Sequence, residues 1–256
     1  MVCNRMIEID GFIFEEYGKP DVKTLILGLP DVGLVGAIAS LHIIRELKMQ
    51  DTIGIDSPTM LPPVSVIMNG QPKLPMRIYS RDGIGVLVTD VPILPPGIPA
   101  FSSALVKYAR SIGVERLISV TGLGNPARIE MEKPKLYAIT NNDEAGRELL
   151  EGLGAESVNH GILVGPYALI LKESRRVGLL NLVLMVDAFI DIPDPGAAAV
   201  AVEALNKILN LNVDVKKLLE EGDKIKLRLK ELMNETKNMM AKMGKSYEYR
   251  PTLLYT

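Results

Sequence analysis

The stretch Thr24-Leu25-Ile26-Leu27-Gly28-Leu29-Pro30-Asp31-Val32-Gly33-Leu34-Val35-Gly36-Ala37-Ile38-Ala39-Ser40 decides the fold. Thr24 to Gly28 have strand character without polar alternation, the pattern of a strand covered on both faces in an α/β sheet. A tight Gly/Pro/Asp turn follows, then an apolar helix from about Gly33 to Leu47. Gly33 and Gly36 stand one helical turn apart, so the spacing predicts two bare backbone positions on one face, where the helix approaches the sheet closely. Gly28, Pro30, Gly33 and Gly36 are therefore read as a structural turn. A dinucleotide fingerprint needs a glycine where Pro30 stands, and Pro30 has no N–H to offer. A phosphate loop needs a Gly-Lys-Ser/Thr ending, and no lysine lies between Thr24 and Glu46. Asp31 repels phosphate and suits a helix start as N-cap or first-turn acid.

Outward from this stretch, strands alternate with helices. Ile7 to Phe14 reads as a hairpin turned at Asp10-Gly11, and Met76–Ser80 with Ile84–Thr89 as a second one turned at Arg81-Asp82-Gly83. Further strands are expected at Thr52–Ile55, Val64–Met68, Leu117–Val120, Leu136–Thr140, Leu163-Val164 and Leu182–Val186. Helices are expected at Ala100–Ile112, from Asn142-Asp143 to Leu153, at Tyr167–Glu173 and at Ala197–Leu209. Asp194 and Pro195 are placed as N-cap and first residue of the last of these. Four prolines between Asp90 and Pro99 make an irregular loop. The pattern predicts a three-layer α/β/α domain over residues 1–212, with a mixed, mostly parallel sheet.

Composition narrows the function classes. The chain of 256 residues is 47% hydrophobic and 23% charged, ordinary values for a globular protein. A net charge of −2 argues against a general nucleic-acid or membrane-surface binder. One cysteine, Cys3, rules out an intramolecular disulfide and a cysteine-built zinc site and fits a reducing compartment. The start lacks a signal-peptide core, and no apolar run reaches the length of a membrane span, so the expected place is the cytoplasm.

The last forty-four residues change character. From Val213 onward there are ten Lys/Arg and seven Asp/Glu, making this segment +3 and the preceding body −5. Ile225, Leu229, Leu232, Thr236, Met239 and Met243 keep a 4-3-4-3-4 spacing, the seam of a helix that packs on another helix. A continuous helix over 213–243 extends about 45 Å. It either lies on its own domain or projects and associates with other copies. Residues 244–256 form a flexible tail holding three of the protein's eight tyrosines and Pro251, which bars a regular helix. Aromatic residues gathered at a terminus suggest that it docks.

Chemistry is sparse. His42 falls within the central helix beside Leu41, Ile43 and Ile44, where a core or rim role is the default. His160 lies in a turn with no carboxylate or cysteine spaced to complete a metal site, and no metal or cofactor is expected. Asp90, Asp187, Asp191 and Asp194 remain. Asp90 ends one strand, and Asp187 and Asp191 follow another, where ligands of α/β sheets gather. Converging there, Asp90, Asp187 and Asp191 would form an acidic site for acid–base chemistry. Asp194 has its capping role, and the others sit near turns that Asp commonly occupies.

Three features together resemble the proteasome assembly chaperone family, in particular archaeal homologues of the second eukaryotic assembly chaperone. They are Gly28-x-Pro30-x-x-Gly33-x-x-Gly36, the Pro-rich loop before the helix at Ala100, and Asp194-Pro195-Gly196-Ala197-Ala198, within a likeness spanning Thr24 to Leu209. The resemblance implies a phosphorylase/hydrolase-like α/β/α fold without known catalytic activity, and a homo-oligomer. The end, Leu254-Tyr255-Thr256, is similar to the hydrophobic-Tyr-X terminus by which proteasome activators and some assembly factors dock between α-ring subunits of the 20S core particle. The resemblance places Tyr255 at the pocket rim and the Thr256 carboxylate on a lysine, a charge-assisted contact. It implies an ATP-independent chaperone or adaptor for the 20S proteasome or its assembly intermediates, with the variant that its oligomer holds another protein for delivery. The alternative is a small-molecule enzyme of nucleoside phosphorylase/hydrolase-like type using the Asp90/Asp187/Asp191 region.

Overall fold

A computed structural model describes residues 3–242. The chain opens on the hairpin β1 (Arg5–Ile9) and β2 (Phe12–Glu16), then runs through β3 (Val22–Gly28), a 3-10 turn (Val32–Leu34) and α1 (Val35–Glu46) to β4 (Gln50–Asp56). β5 (Val66–Met68) and β6 (Gln71–Lys73) form a ribbon of their own. β7 (Met76–Arg81), β8 (Gly83–Thr89), α2 (Ile98–Ser111), β9 (Arg116–Gly124), β10 (Leu136–Thr140), α3 (Asp143–Leu150), β11 (Glu156–Ser157), α4 (Pro166–Arg176), β12 (Leu180–Ala188) and α5 (Pro195–Leu209) complete the domain. Three short helices close the described chain: α6 (Lys216–Glu220), α7 (Gly222–Arg228) and α8 (Lys230–Lys242).

Ten strands make one sheet in the order β1-β2-β4-β7-β8-β3-β9-β12-β10-β11. β3 sits inside it, and its apolar run feeds two cores. Leu25 and Leu27 join Phe12, Phe14, Phe101 and Tyr108 beneath α2 and α4, while Ile26 joins Val35, Ile38 and Ala197 beneath α1 and α5. Alternate side chains of one strand thus reach opposite faces. The α/β class and the helix layers on both faces are as the sequence indicates.

The share of parallel pairing differs from expectation. β8-β3-β9-β12 is parallel, as is the short pair β10–β11. The pairings from β1 through β8, and β10 with β12, are antiparallel. Two-residue turns at Asp10-Gly11 and Asp82-Gly83, all four residues at positive φ, fold strands back on their neighbours and confine the long parallel run to β8-β3-β9-β12. Leu163-Val164 is not a strand. The sheet edge there is β11, paired with β10.

α1 also begins later than Gly33. Gly33 and Leu34 both take left-handed φ values, 60° and 50°, and the helix starts at Val35. Gly33 therefore turns the chain rather than opening the helix, yet both glycines approach the sheet closely: a Cβ on Gly36 would overlap the Val120 carbonyl, and one on Gly33 would crowd the Ala188 side chain of β12.

The C-terminal segment is not one straight helix. It bends at Glu221 and Leu229, where main-chain bonds such as Ile225 N–H to Glu221 O (3.0 Å) still carry the helical pattern across. Leu218, Met233 and Met240 belong to the same core as α1 and α5, and Ile225, Leu229 and Leu232 pack against it. Through Lys242 the segment lies along its own domain, and the bends let it follow a curved surface. Met243, the last residue of the expected seam, and the tail 244–256 lie outside the described residues.

Candidate functional site

The carboxyl ends of the parallel strands carry the conspicuous polar chemistry. After β3, the buried Asp31 accepts hydrogen bonds from the Val32 N–H (2.9 Å) and the Thr121 hydroxyl (2.7 Å) of β9. It caps the 3-10 turn, so the one carboxylate of the Gly/Pro turn is tied into structure. Tyr167 reaches across from α4, accepting from the Leu29 N–H (2.8 Å) and donating to the Leu27 carbonyl (3.1 Å). Burial, then the nearby Asp31 charge, drives the Tyr167 phenol pKa well up, so it acts as a fixed neutral pin. Gly28 is obligatory for another reason: any Cβ would collide with Ser40 and the Gly36 carbonyl. Within the turn 28–36, Gly28, Gly33 and Gly36 each leave no room for a Cβ.

Asp194 does more than cap α5. Its Oδ1 accepts the Ala197 N–H (2.9 Å), its Oδ2 the Phe189 N–H (3.2 Å), and its own N–H donates to Gly33 O (2.8 Å). Arg128, from the 3-10 turn Pro126–Glu130, grips both oxygens, Nε to Oδ2 at 2.8 Å and Nη2 to Oδ1 at 3.1 Å. The guanidinium also lies 4.9 Å from the Phe189 ring centroid. Asp194 is 1% exposed and Arg128 8%. This pair joins the turns after β3, β9 and β12. Sequence reading misses Arg128 because nothing local relates it to Asp194, sixty-six residues on.

The acidic triad does not assemble. Asp90 ends β8 and pairs with Arg77 (2.6 Å). Asp187 lies in β12, three strand steps away, roughly 14 Å at the usual inter-strand spacing. Asp191 is 67% exposed and pairs with Lys237 of α8 (2.9 Å). An acidic site built from Asp90, Asp187 and Asp191 is therefore ruled out: the sheet order separates two of them and a surface ion pair takes the third. Among the described residues, no three His, Cys, Asp or Glu come together to hold a metal ion.

Asp187 stands apart from the other two. It is wholly buried, accepting from Asn125 Nδ2 (3.0 Å) and lying 3.4 Å from the Tyr137 hydroxyl. Burial and then the Asp187 charge push the Tyr137 phenol up to about 12. Both residues line a cavity of about 650 Å³ bounded by Leu123, Ile139, Met185 and Leu171, with His160 at its wall. His42, by contrast, is a buried rim residue. Its Nε2 donates to the Asp214 carbonyl (2.7 Å) and its Nδ1 faces Arg45 (3.4 Å), fastening the start of the C-terminal segment to α1. Leu254, Tyr255 and Thr256, the expected docking residues, lie outside the described residues.

The fold and this face define an α/β/α protein in which the buried charges of Asp31, Arg128 and Asp194 join the turns at the carboxyl ends of the central strands. The chain belongs to the PAC2 family, whose model matches residues 25–233. It is similar to Pyrococcus furiosus PbaA, an archaeal homolog of proteasome-assembly chaperone, at 32% identity over 89% of this chain and 98% of that one, with a TM-score of 0.81. Pyrococcus furiosus PbaB, an archaeal proteasome activator, shares the fold at 24% identity and a TM-score of 0.73, covering 88% of this chain and 99% of the other. An uncharacterised protein of Methanocaldococcus jannaschii is 28% identical over 241 residues, covering 93% of this chain and 98% of that protein. None of the described helices is long and apolar enough to cross a membrane.

Proposed function

We propose that this protein is an ATP-independent chaperone or adaptor of the 20S proteasome that docks on the α-ring, or on assembly intermediates, through Leu254-Tyr255-Thr256. The observation that carries this reading is the likeness to an archaeal homolog of proteasome-assembly chaperone over nearly the whole of both chains. The sequence of the tail gives it a mechanism. A tyrosine at the rim of an inter-subunit pocket and a terminal carboxylate on a lysine make a short anchor, weak alone. Homo-oligomerisation multiplies it, because several tails on one ring bind with avidity. The oligomer also has room, in this proposal, to hold a second protein for delivery.

Purified 20S core particles mixed with the full-length protein test this reading. Co-migration is expected with the full chain and lost on deletion of Leu254-Tyr255-Thr256 or with Tyr255→Ala, while the oligomeric state of the variants stays unchanged. Co-migration of the tail-less protein equal to that of the full chain would overturn docking through the tail.

A further inference from the structure

The cavity beside Asp187 is formed by described residues alone and includes none of the tail on which docking is proposed. The pleat gathers its strand-borne lining on one face. Met185 and Asp187 are two apart on β12, Leu123 pairs in register with Asp187, and Tyr137 pairs with Met185. Leu171 of α4 faces them across the cavity. The site opens at the carboxyl ends of β9 and β12, where open α/β sheets place ligands, and its volume of about 650 Å³ suits a small molecule.

Charge sets the ligand class. Asp187 is 0% exposed, yet its hydrogen-bond donors, Asn125 and Tyr137, are both neutral. Among the described residues, no lysine or arginine comes within ion-pair distance of it. Of the cations on neighbouring segments, Arg128 is held by Asp194, and Lys135 is held by Glu156 (2.9 Å), feeling the Asp187 charge only from beyond ion-pair distance. A carboxylate offers about four acceptor sites, and a buried charge with no cation in direct contact is costly. A cationic donor entering the cavity satisfies both demands with a charge-assisted bond, whereas an anion is repelled. The remaining wall is largely aliphatic and takes an apolar body.

We propose that this cavity binds a small organic cation: a protonated amine on an apolar body, its ammonium on Asp187 and its body among Leu123, Ile139, Leu171 and Met185. Isothermal titration of the full-length protein with matched probe pairs tests it. Tryptamine is compared with tryptophol, and phenethylamine with phenethyl alcohol, so that ammonium is exchanged for hydroxyl on one body. Each amine is expected to bind roughly tenfold or more tighter than its alcohol. Asp187→Asn should bring that ratio to about one, and Leu171→Trp, which fills the cavity from the helix side, should remove binding of all four probes. Should Asp187→Asn fail to fold by circular dichroism, the wild-type ratios and Leu171→Trp decide the matter. Absence of binding by both amines overturns the proposal. So does equal binding of amine and alcohol, an amine preference that survives Asp187→Asn, or amine binding that survives Leu171→Trp.

Discussion

At the scale of single residues, Arg128 and Asp194 decide most. Asp194 is almost fully buried, and its two oxygens serve a helix cap, a main-chain N–H and both arms of a guanidinium. Removing the cation leaves that carboxylate buried and uncompensated, which typically costs about 3–5 kcal/mol. Arg128→Ala is therefore expected to lower the denaturant midpoint by that much stability. Arg128→Lys should recover only part, because one ammonium cannot span both oxygens as the planar fork does. A midpoint unchanged in Arg128→Ala would show that the pair is not what holds the turns together. A second residue-scale expectation concerns alkaline pH. Burial pushes both Tyr17 and Tyr137 up to about 12, against an ordinary phenol near 10 in the unfolded chain. Between those values the folded state keeps protons that the unfolded state has lost, so stability is whole below about pH 10 and declines as pH rises through about 12. Urea midpoints taken from pH 9 upward should fall over that window, and Tyr17→Phe with Tyr137→Phe should make the fall shallower.

At the scale of elements, the C-terminal segment divides what the sequence could show from what it could not. The apolar spacing of Ile225, Leu229 and Leu232 identifies a face, and that face does pack. Its partner was not legible, because a heptad-like seam fits a neighbouring copy and a neighbouring helix equally well. Met233→Ala tests the packing: the side chain is 1% exposed, and truncating a buried methionine costs about 2–5 kcal/mol, whereas Leu227→Lys, at a site 77% exposed, should stay within about 0.5 kcal/mol. Equal effects of the two substitutions would contradict a segment seated on its own domain. Elsewhere the signals are local and legible. β3 announces itself by an unbroken apolar run, and the Asp-Gly pairs fix two hairpins. Gly33 reads as helical from sequence because a glycine at a strand–helix junction serves a left-handed turn as readily as a close approach; here it serves both, and only the φ of 60° reveals the turn. The acidic triad fails for a related reason. Strand ends are visible in sequence, but strand order is not, and the order β8-β3-β9-β12 puts Asp90 and Asp187 apart. Asp187's own pocket draws on β9, β10, β12 and α4, so no window of sequence contains it.

At the scale of the whole molecule, docking through several tails makes a quantitative prediction that docking through one does not. In the proposed docking each tail makes one weak contact, and a second tail on the same ring would bind at an effective concentration set by the length of chain between it and the body. The thirteen residues 244–256 reach roughly 43 Å when extended, which fixes the largest gap between pockets that one tail can cover from its helix end. Mixed oligomers, assembled from wild-type and Tyr255→Ala subunits in known ratio, expose the number of tails engaged. With two or more tails required, retention on 20S particles should fall faster than the fraction of intact tails, near its square for two. Inserting a Gly/Ser segment between Lys242 and the tail should weaken binding only gradually, roughly as the −3/2 power of linker length, since a longer chain dilutes the tail without removing it. Shortening the tail segment should instead abolish binding abruptly, once the chain no longer spans adjacent pockets. Retention that falls in simple proportion to intact tails, together with indifference to linker length, would mean that one tail suffices and would overturn the proposed role of avidity.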